Sequence, residues 1–147
     1  MKITEALLAE HFVFHNIFDY LERRVPATEH LCEVKAHADM LEAMLEAHSK
    51  MEDELVIEPL SHCLDNLGQA ENFEAEHEEI DKSLASIRET TELADAQRKL
   101  INAVRWSRKH FDKEERIVFP LAEKWLKEKT LQDLGDSWMK ERKHVLG

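Results

Sequence analysis

The chain has 147 residues, enough for one domain that buries about two thirds of its unfolded surface without a covalent staple. A net charge of −11, with 43% hydrophobic and 35% charged residues, argues against nucleic acid and an anionic membrane as partners and favours cations. Two cysteines cannot build a disulfide framework, no run approaches the ~18 apolar residues of a membrane span, and no secretory apolar stretch opens the sequence, so a cytoplasmic protein is expected.

Only three glycines and three prolines punctuate the chain, which favours long helices. The first is predicted from about Thr4 to Val25, ended by Pro26, with Leu7, Leu8, Phe14, Phe18 and Leu21 at helical spacing. The second is predicted from about Thr28 to Leu64, with Leu41, Leu45 and Leu55 on one stripe and Pro59 as a kink. Asn66 to Gly68 break the pattern. The third runs from about Glu71 to Thr90, with Phe73, Ile80, Leu84 and Ile87 inward. The fourth runs from about Ala94 to Lys127, with Leu100, Ala103, Trp106, Ile117, Leu121 and Trp125 inward. A short fifth is expected over Leu131 to Arg142, interrupted at Gly135. Short connections make neighbours antiparallel, so the expected fold is all-α: an up-down-up-down four-helix bundle with a short C-terminal fifth helix, forming a single domain over residues 1–147.

Histidines and acids interrupt these stripes. His48 and Glu52, four residues apart, fall on the inward face of the second helix, and His110 and Glu114 repeat the arrangement on the fourth. Each pair is followed by a proline, at offsets that differ by one residue. With 22 Glu and nine His in the chain, about one such pair arises by chance, so the spacing alone carries little weight. Placement carries more. His77 lies between Phe73 and Leu84, and His11 and His15 share the stripe of Leu7 and Phe14. Counting from the turns puts His77 and His110 at one depth and favours His11 over His15. An unpaired buried carboxylate is costly, and no Lys or Arg shares these stripes at that level. A metal would neutralise Glu52 and Glu114 and occupy the imidazole lone pairs. Five histidines and two acids exceed one tetrahedral zinc, so two ions are expected, with Glu52 and Glu114 as the natural bridges. The ferritin-like pattern fits poorly, because Glu-x-x-His occurs only once within the four bundle helices, as Glu74 and His77.

Glu10-His11, the segment His48 to Glu52, Glu76-His77-Glu78, and the segment from His110 through Glu114-Glu115 to Phe119-Pro120 resemble the hemerythrin-like family, also called HHE cation-binding domains, over residues 3–127. The resemblance implies a non-haem di-iron site bridged by two carboxylates, in proteins that bind or sense dioxygen; some members handle nitric oxide, peroxide or iron. Oxygen-carrying hemerythrins typically have His-x-x-x-His on the third helix. Here Asp81 stands four residues after His77, which leaves His15 or Asp81 to supply the extra ligand. Some members place the second acid five residues past the histidine, which makes Glu115 a rival to Glu114, although Glu115 points about 100° further round. The expected metal ligands are His11, His15, His48, Glu52, His77, His110 and Glu114. Two iron ions are expected, with manganese or zinc as alternatives, and a small diatomic or peroxide ligand. A metal-binding oxygen sensor or carrier is expected ahead of a di-iron enzyme acting on peroxide, nitric oxide or ferrous iron, and ahead of an interaction module with a structural metal.

Overall fold

The computed structural model describes residues 1–66 and 70–146, and every regular element among them is helical. Helix α1 spans Ile3–Arg24. The Glu5 carboxylate accepts the Lys2 backbone N–H at 2.8 Å in its first turn, and Arg23 and Arg24 suit the negative end of its dipole. A 3-10 turn, Val25–Ala27, carries Pro26. Helix α2, Leu31–Glu52, starts later than Thr28, because Thr28 is extended and its hydroxyl accepts the His30 N–H at 3.2 Å. Helix α3 is Ser61–Asn66, α4 is Ala70–Ser86, and a 3-10 turn, Ile87–Glu89, closes α4. Of the expected break at Asn66 to Gly68, Leu67 and Gly68 lie outside the described residues. Helix α5 spans Leu93–Lys113, α6 Phe119–Trp125 and α7 Glu128–Leu146.

Two π-helical turns separate these helices, Asp53–Ile57 after α2 and Glu114–Val118 before α6. In each, the ladder widens to a five-residue step: the Glu58 N–H reaches the Asp53 carbonyl at 2.9 Å, and the Phe119 N–H reaches that of Glu114. Each proline stands two residues beyond its π turn, so the one-residue difference in proline offset reflects where each π turn begins. At Pro59 the helix ends and α3 begins afresh; Pro120 instead follows the second π turn inside a run that stays helical. The long second helix expected from the sequence is therefore divided, whereas the fourth stays helical from Leu93 to Trp125 with a π turn within it.

The π turn also shifts the helical face. Trp125, expected inward, is 60% exposed. Trp106, also expected inward, is 56% exposed because Ser107 takes the inward position one residue on, fully buried and donating to the Ala103 carbonyl at 2.8 Å.

Helices α1 and α4 each pack against α2 and α5, and α7 lies along α1. At one end, the Gln97 amide of α5 donates to the carbonyls of Val25 and Thr28, and Arg88, beyond α4, pairs with Asp39 and Glu42 of α2. One apolar cluster, built on Phe18, Leu41, Leu84 and Leu100, fills that end; a second, built on Leu7, Ile57, Phe73 and Val118, fills the other. Helix α7 runs through Gly135 without the expected interruption. A Cβ at that glycine would overlap the Met1 carbonyl oxygen, so Gly135 permits the close crossing of α7 over the start of α1. Among the described residues, no helix is long and apolar enough to cross a membrane.

Candidate metal centre

Between the two apolar clusters lies a layer of buried polar side chains. His11 from α1, His48 and Glu52 from α2, His77 from α4, His110 from α5, and Glu114 at the start of the second π turn converge there. None is more than 5% exposed, and Glu52 and Glu114 are fully buried. Each glutamate has an oxygen toward each pair of imidazoles. Glu52 Oε2 lies 3.3 Å from His48 Nε2 and 3.9 Å from His11 Nε2, while its Oε1 lies 3.8 Å from His77 Nε2. Glu114 Oε1 lies 3.6 Å from His11 Nε2, while its Oε2 lies 3.5 Å from His77 Nε2 and 3.3 Å from His110 Nε2. His11 and His48 bring their Nε2 atoms within 3.2 Å of each other. Two overlapping quartets result, one of His11, His48, Glu52 and Glu114, the other of His77, His110, Glu52 and Glu114.

The opposite nitrogen of each ring meets a second carboxylate. His48 Nδ1 pairs with Glu10 at 3.1 Å, His77 Nδ1 with Asp53 at 3.0 Å, His110 Nδ1 with Glu76 at 2.6 Å, and His11 Nδ1 with Glu115 at 3.1 Å. An ionised carboxylate only accepts, so the proton of each neutral ring sits on Nδ1 and the Nε2 lone pair points into the centre. These four acids each stand one residue from an inner residue, and each supports a histidine on a neighbouring helix: α1 to α2, α2 to α4, α4 to α5, and α5 back to α1.

The inner residues fit metal ions on two observations. Donors about 2.1 Å from a shared ion stand roughly 3.0–4.2 Å apart, the contacts given above run from 3.2 to 3.9 Å, and all donors of each quartet lie within 4.8 Å of one another. Of the seven buried side-chain atoms left without a hydrogen-bond partner among the described residues, six belong to this layer: both oxygens of Glu52 and of Glu114, and the Nε2 atoms of His77 and His110. Buried polar atoms are nearly always satisfied, so six orphans in one place, all capable of ligation, call for a cation.

The hemerythrin HHE cation-binding domain model matches residues 2–122. The chain belongs to that family. No protein of curated function and no solved structure matches it.

In this HHE domain, the charges of the glutamates are reflected in the rings. Burial disfavours protonation of His48, yet its hydrogen bond to Glu10 and the charge of Glu52 outweigh burial and raise it to about 9. Burial also works against His77, and Asp53 and Glu52 again raise it. Burial, followed by the neighbouring histidines, lowers His11 to about 2 and His110 to about 4. Without metal, the second proton of His48 sits on Nε2, facing Glu52 and His11. The short His11–His48 contact then becomes an N–H of His48 donating to the bare Nε2 of His11.

His15 stands apart from the six inner residues. It is half-buried, its Nδ1 lies 2.9 Å from the Arg108 guanidinium, and Arg108 also holds Asp19 and Glu22. Asp81 is likewise outside both quartets; it lines an acidic cleft with Glu46, Glu54, Glu78 and His77. Glu115 turns to support His11, leaving Glu114 in the centre. Spacing along the sequence does not single out Glu10, Asp53 and Glu76 for their supporting roles. The available signal is adjacency: a residue next to a ligand on a helix points about 100° round, toward the neighbouring helix.

Proposed function

We propose that this chain holds a non-haem di-iron site that binds or senses dioxygen or a related small oxidant. The carrying observation is the double-ended use of Glu52 and Glu114, each with one oxygen toward His11 and His48 and the other toward His77 and His110. Two inner carboxylates alone would carry two negative charges. Two outer acids, Asp53 and Glu115, add two more, while Glu10 and Glu76 are offset by Arg142 and Lys113. Four charges suit two divalent ions. Imidazole and carboxylate donors without a cysteine suit iron and also accept manganese or zinc. His11, His48, Glu52 and Glu114 would hold one ion, and His77, His110, Glu52 and Glu114 the other. When bound, the metals supply the redox chemistry.

The protein's own part is to shape access. His77 and His110 themselves line surface grooves of about 430 and 310 Å³, whereas the grooves of about 420 and 230 Å³ on the other side are lined by Glu115 and Phe119 and by Glu10 and Phe14, which stand in front of His11 and His48. His11 stacks face to face on Phe111 at 3.8 Å and approaches Phe119 at 5.3 Å, so apolar rings keep water from that half. A small oxidant therefore approaches from the side of His77 and His110. The acidic residues beside His77 favour a second reading, turnover of ferrous iron, since they would draw a cation toward the same opening.

In this reading α1, α2, α4 and α5 form an up-down-up-down bundle with α7 as a fifth helix, and residues 1–147 form one domain. The outer acids support the alternation. They precede an inner residue on α1 and α4 and come after one on α2 and at the end of α5. Moving one residue back along a descending right-handed helix rotates in the same sense as moving one forward along an ascending helix, so all four acids turn the same way about the bundle axis.

The protein, purified anaerobically and loaded with ferrous iron, should hold two irons per chain and develop an optical band on admission of oxygen that reverses when oxygen is removed. Irreversible oxidation with turnover of peroxide or ferrous iron would move the function to the enzymatic reading, and failure to retain iron would end both.

A further inference from the structure

The family match ends at residue 122, and α7 lies wholly beyond it. Helix α7 packs along α1, crossing the start of the chain at Gly135. One turn further on, its polar side chains converge on a single carboxylate. Trp138 Nε1 donates to Glu10 Oε1 at 3.1 Å. Arg142 donates through Nε to Glu10 Oε2 at 3.0 Å and through Nη2 to Oε1 at 3.0 Å. Glu10 Oε1 is also the acceptor for His48 Nδ1. Arg142 Nη2 further reaches the Ala47 carbonyl, one residue before His48, at 3.4 Å. Among the described residues, Glu10 is the one outer carboxylate gripped by a guanidinium fork.

We propose that Trp138 and Arg142 are positioning residues for the metal position formed by His11 and His48, so that the C-terminal helix sets how tightly one of the two ions is held. The proposal rests on the two-metal reading. A helix that merely covered α1 would need only apolar contacts. Here three donors fix both oxygens of an acid whose remaining direction is the His48 ring. Fork geometry restrains the carboxylate in orientation as well as place, and the carboxylate in turn restrains the imidazole plane. His77 and His110 are supported from other helices, by Asp53 and Glu76, and gain nothing from α7.

The test is an anaerobic titration of the metal-free full-length chain with ferrous ion, repeated with cobalt(II) as an air-stable optical probe. The wild type binds two ions. Arg142→Gln should bind one ion as the wild type does and the other about 10–100-fold more weakly, the range typical of lost outer support. The weakened ion should leave first when a chelator is added. Trp138→Phe, which removes only the N–H, should shift the same ion by less. Arg142→Gln should add little to Glu10→Gln, because both break one link, but should add fully to Asp53→Asn. Lys129→Ala, at an 84% exposed side chain on α7, serves as the unaffected control. Should Arg142→Gln not fold, Arg142→Lys, which keeps the charge and loses the fork, takes its place. Equal weakening of both ions, no weakening of either, or full additivity with Glu10→Gln would overturn the proposal. A wild-type chain that binds no ion would overturn the two-metal reading and this inference with it; two wild-type ions with an unaltered Arg142→Gln would overturn this inference alone.

Discussion

His11 and His48 face one end of the Glu52 and Glu114 carboxylates; His77 and His110 face the other, with nearly the same separations. Their surroundings differ. The first pair lies against Phe111 and Phe14, and α7 clamps the acid behind His48. The second pair lines two grooves, one acidic around Asp53 and Asp81, one flanked by Lys109 and Lys113. On the proposed reading, a matched ligand set with unmatched surroundings would make the half of His11 and His48 the one that retains its ion and the half of His77 and His110 the one that a small oxidant reaches.

The harshest way to break this comparison is to remove what the halves share. Glu114→Ala takes an oxygen from both quartets and should abolish binding of both ions, with two irons per chain falling to none by elemental analysis. The same variant should lose the thermal stabilisation that metal confers on the wild type, since ions bind the folded chain and not the unfolded one. Retention of a full complement would remove Glu114 from the ligand set.

Asp53→Asn acts on one half. It removes the charge that supports His77 and leaves Glu10 and α7 in place. One ion should weaken about 10–100-fold while the other keeps its affinity, the mirror image of a change at Arg142. Competition with a chelator, monitored by rapid quenching, separates the two.

The smallest effect concerns Asp81 in the open cleft. Burial pushes its carboxyl up to about 6, and the charges of Glu46, Glu42 and Asp53 add to burial against an opposing pull from His77. A folded-state value above the ordinary 3.8 means the folded chain takes up this proton more readily than the unfolded one. Asp81 therefore costs stability above pH ~6, and the cost fades as pH falls toward ~4. Asp81→Asn should stabilise the metal-free protein by about 1 kcal/mol at pH 7.5, after allowance for solvent screening, and by little at pH 4. Urea unfolding at the two pH values measures the difference. Equal gains at both would assign the effect to something other than charge.

The stripes of Leu7, Phe18, Leu41, Leu84 and Leu100 make the helices legible, because period and burial coincide along each of them. Less legible is where the ladder slips. A π turn adds a residue to one turn and rotates the helix beyond it, so spacing alone puts Trp125 inward and makes the restart of the helix after Pro59 look like a kink. Hydrophobic spacing averages over such a slip. Within the site, His11, His48, Glu52, His77, His110 and Glu114 can be grouped because each is a polar exception on an apolar face. His15 shares that face on α1, but its partner Arg108 comes from α5, and one helix's periodicity carries no information about what its neighbour offers. The outer acids are hidden for the opposite reason. In a chain with 31 acidic residues, Glu10, Asp53 and Glu76 are set apart from solvated acids by the partners they meet on other helices, a histidine ring in each case.

The central claim is that Glu52 and Glu114 hold two ions between four histidines. Its most direct test is the metal-to-chain ratio of the wild-type protein after anaerobic loading with ferrous ion and removal of the excess. The expected ratio is two. A ratio of one, or a chain that retains no metal, would contradict the account.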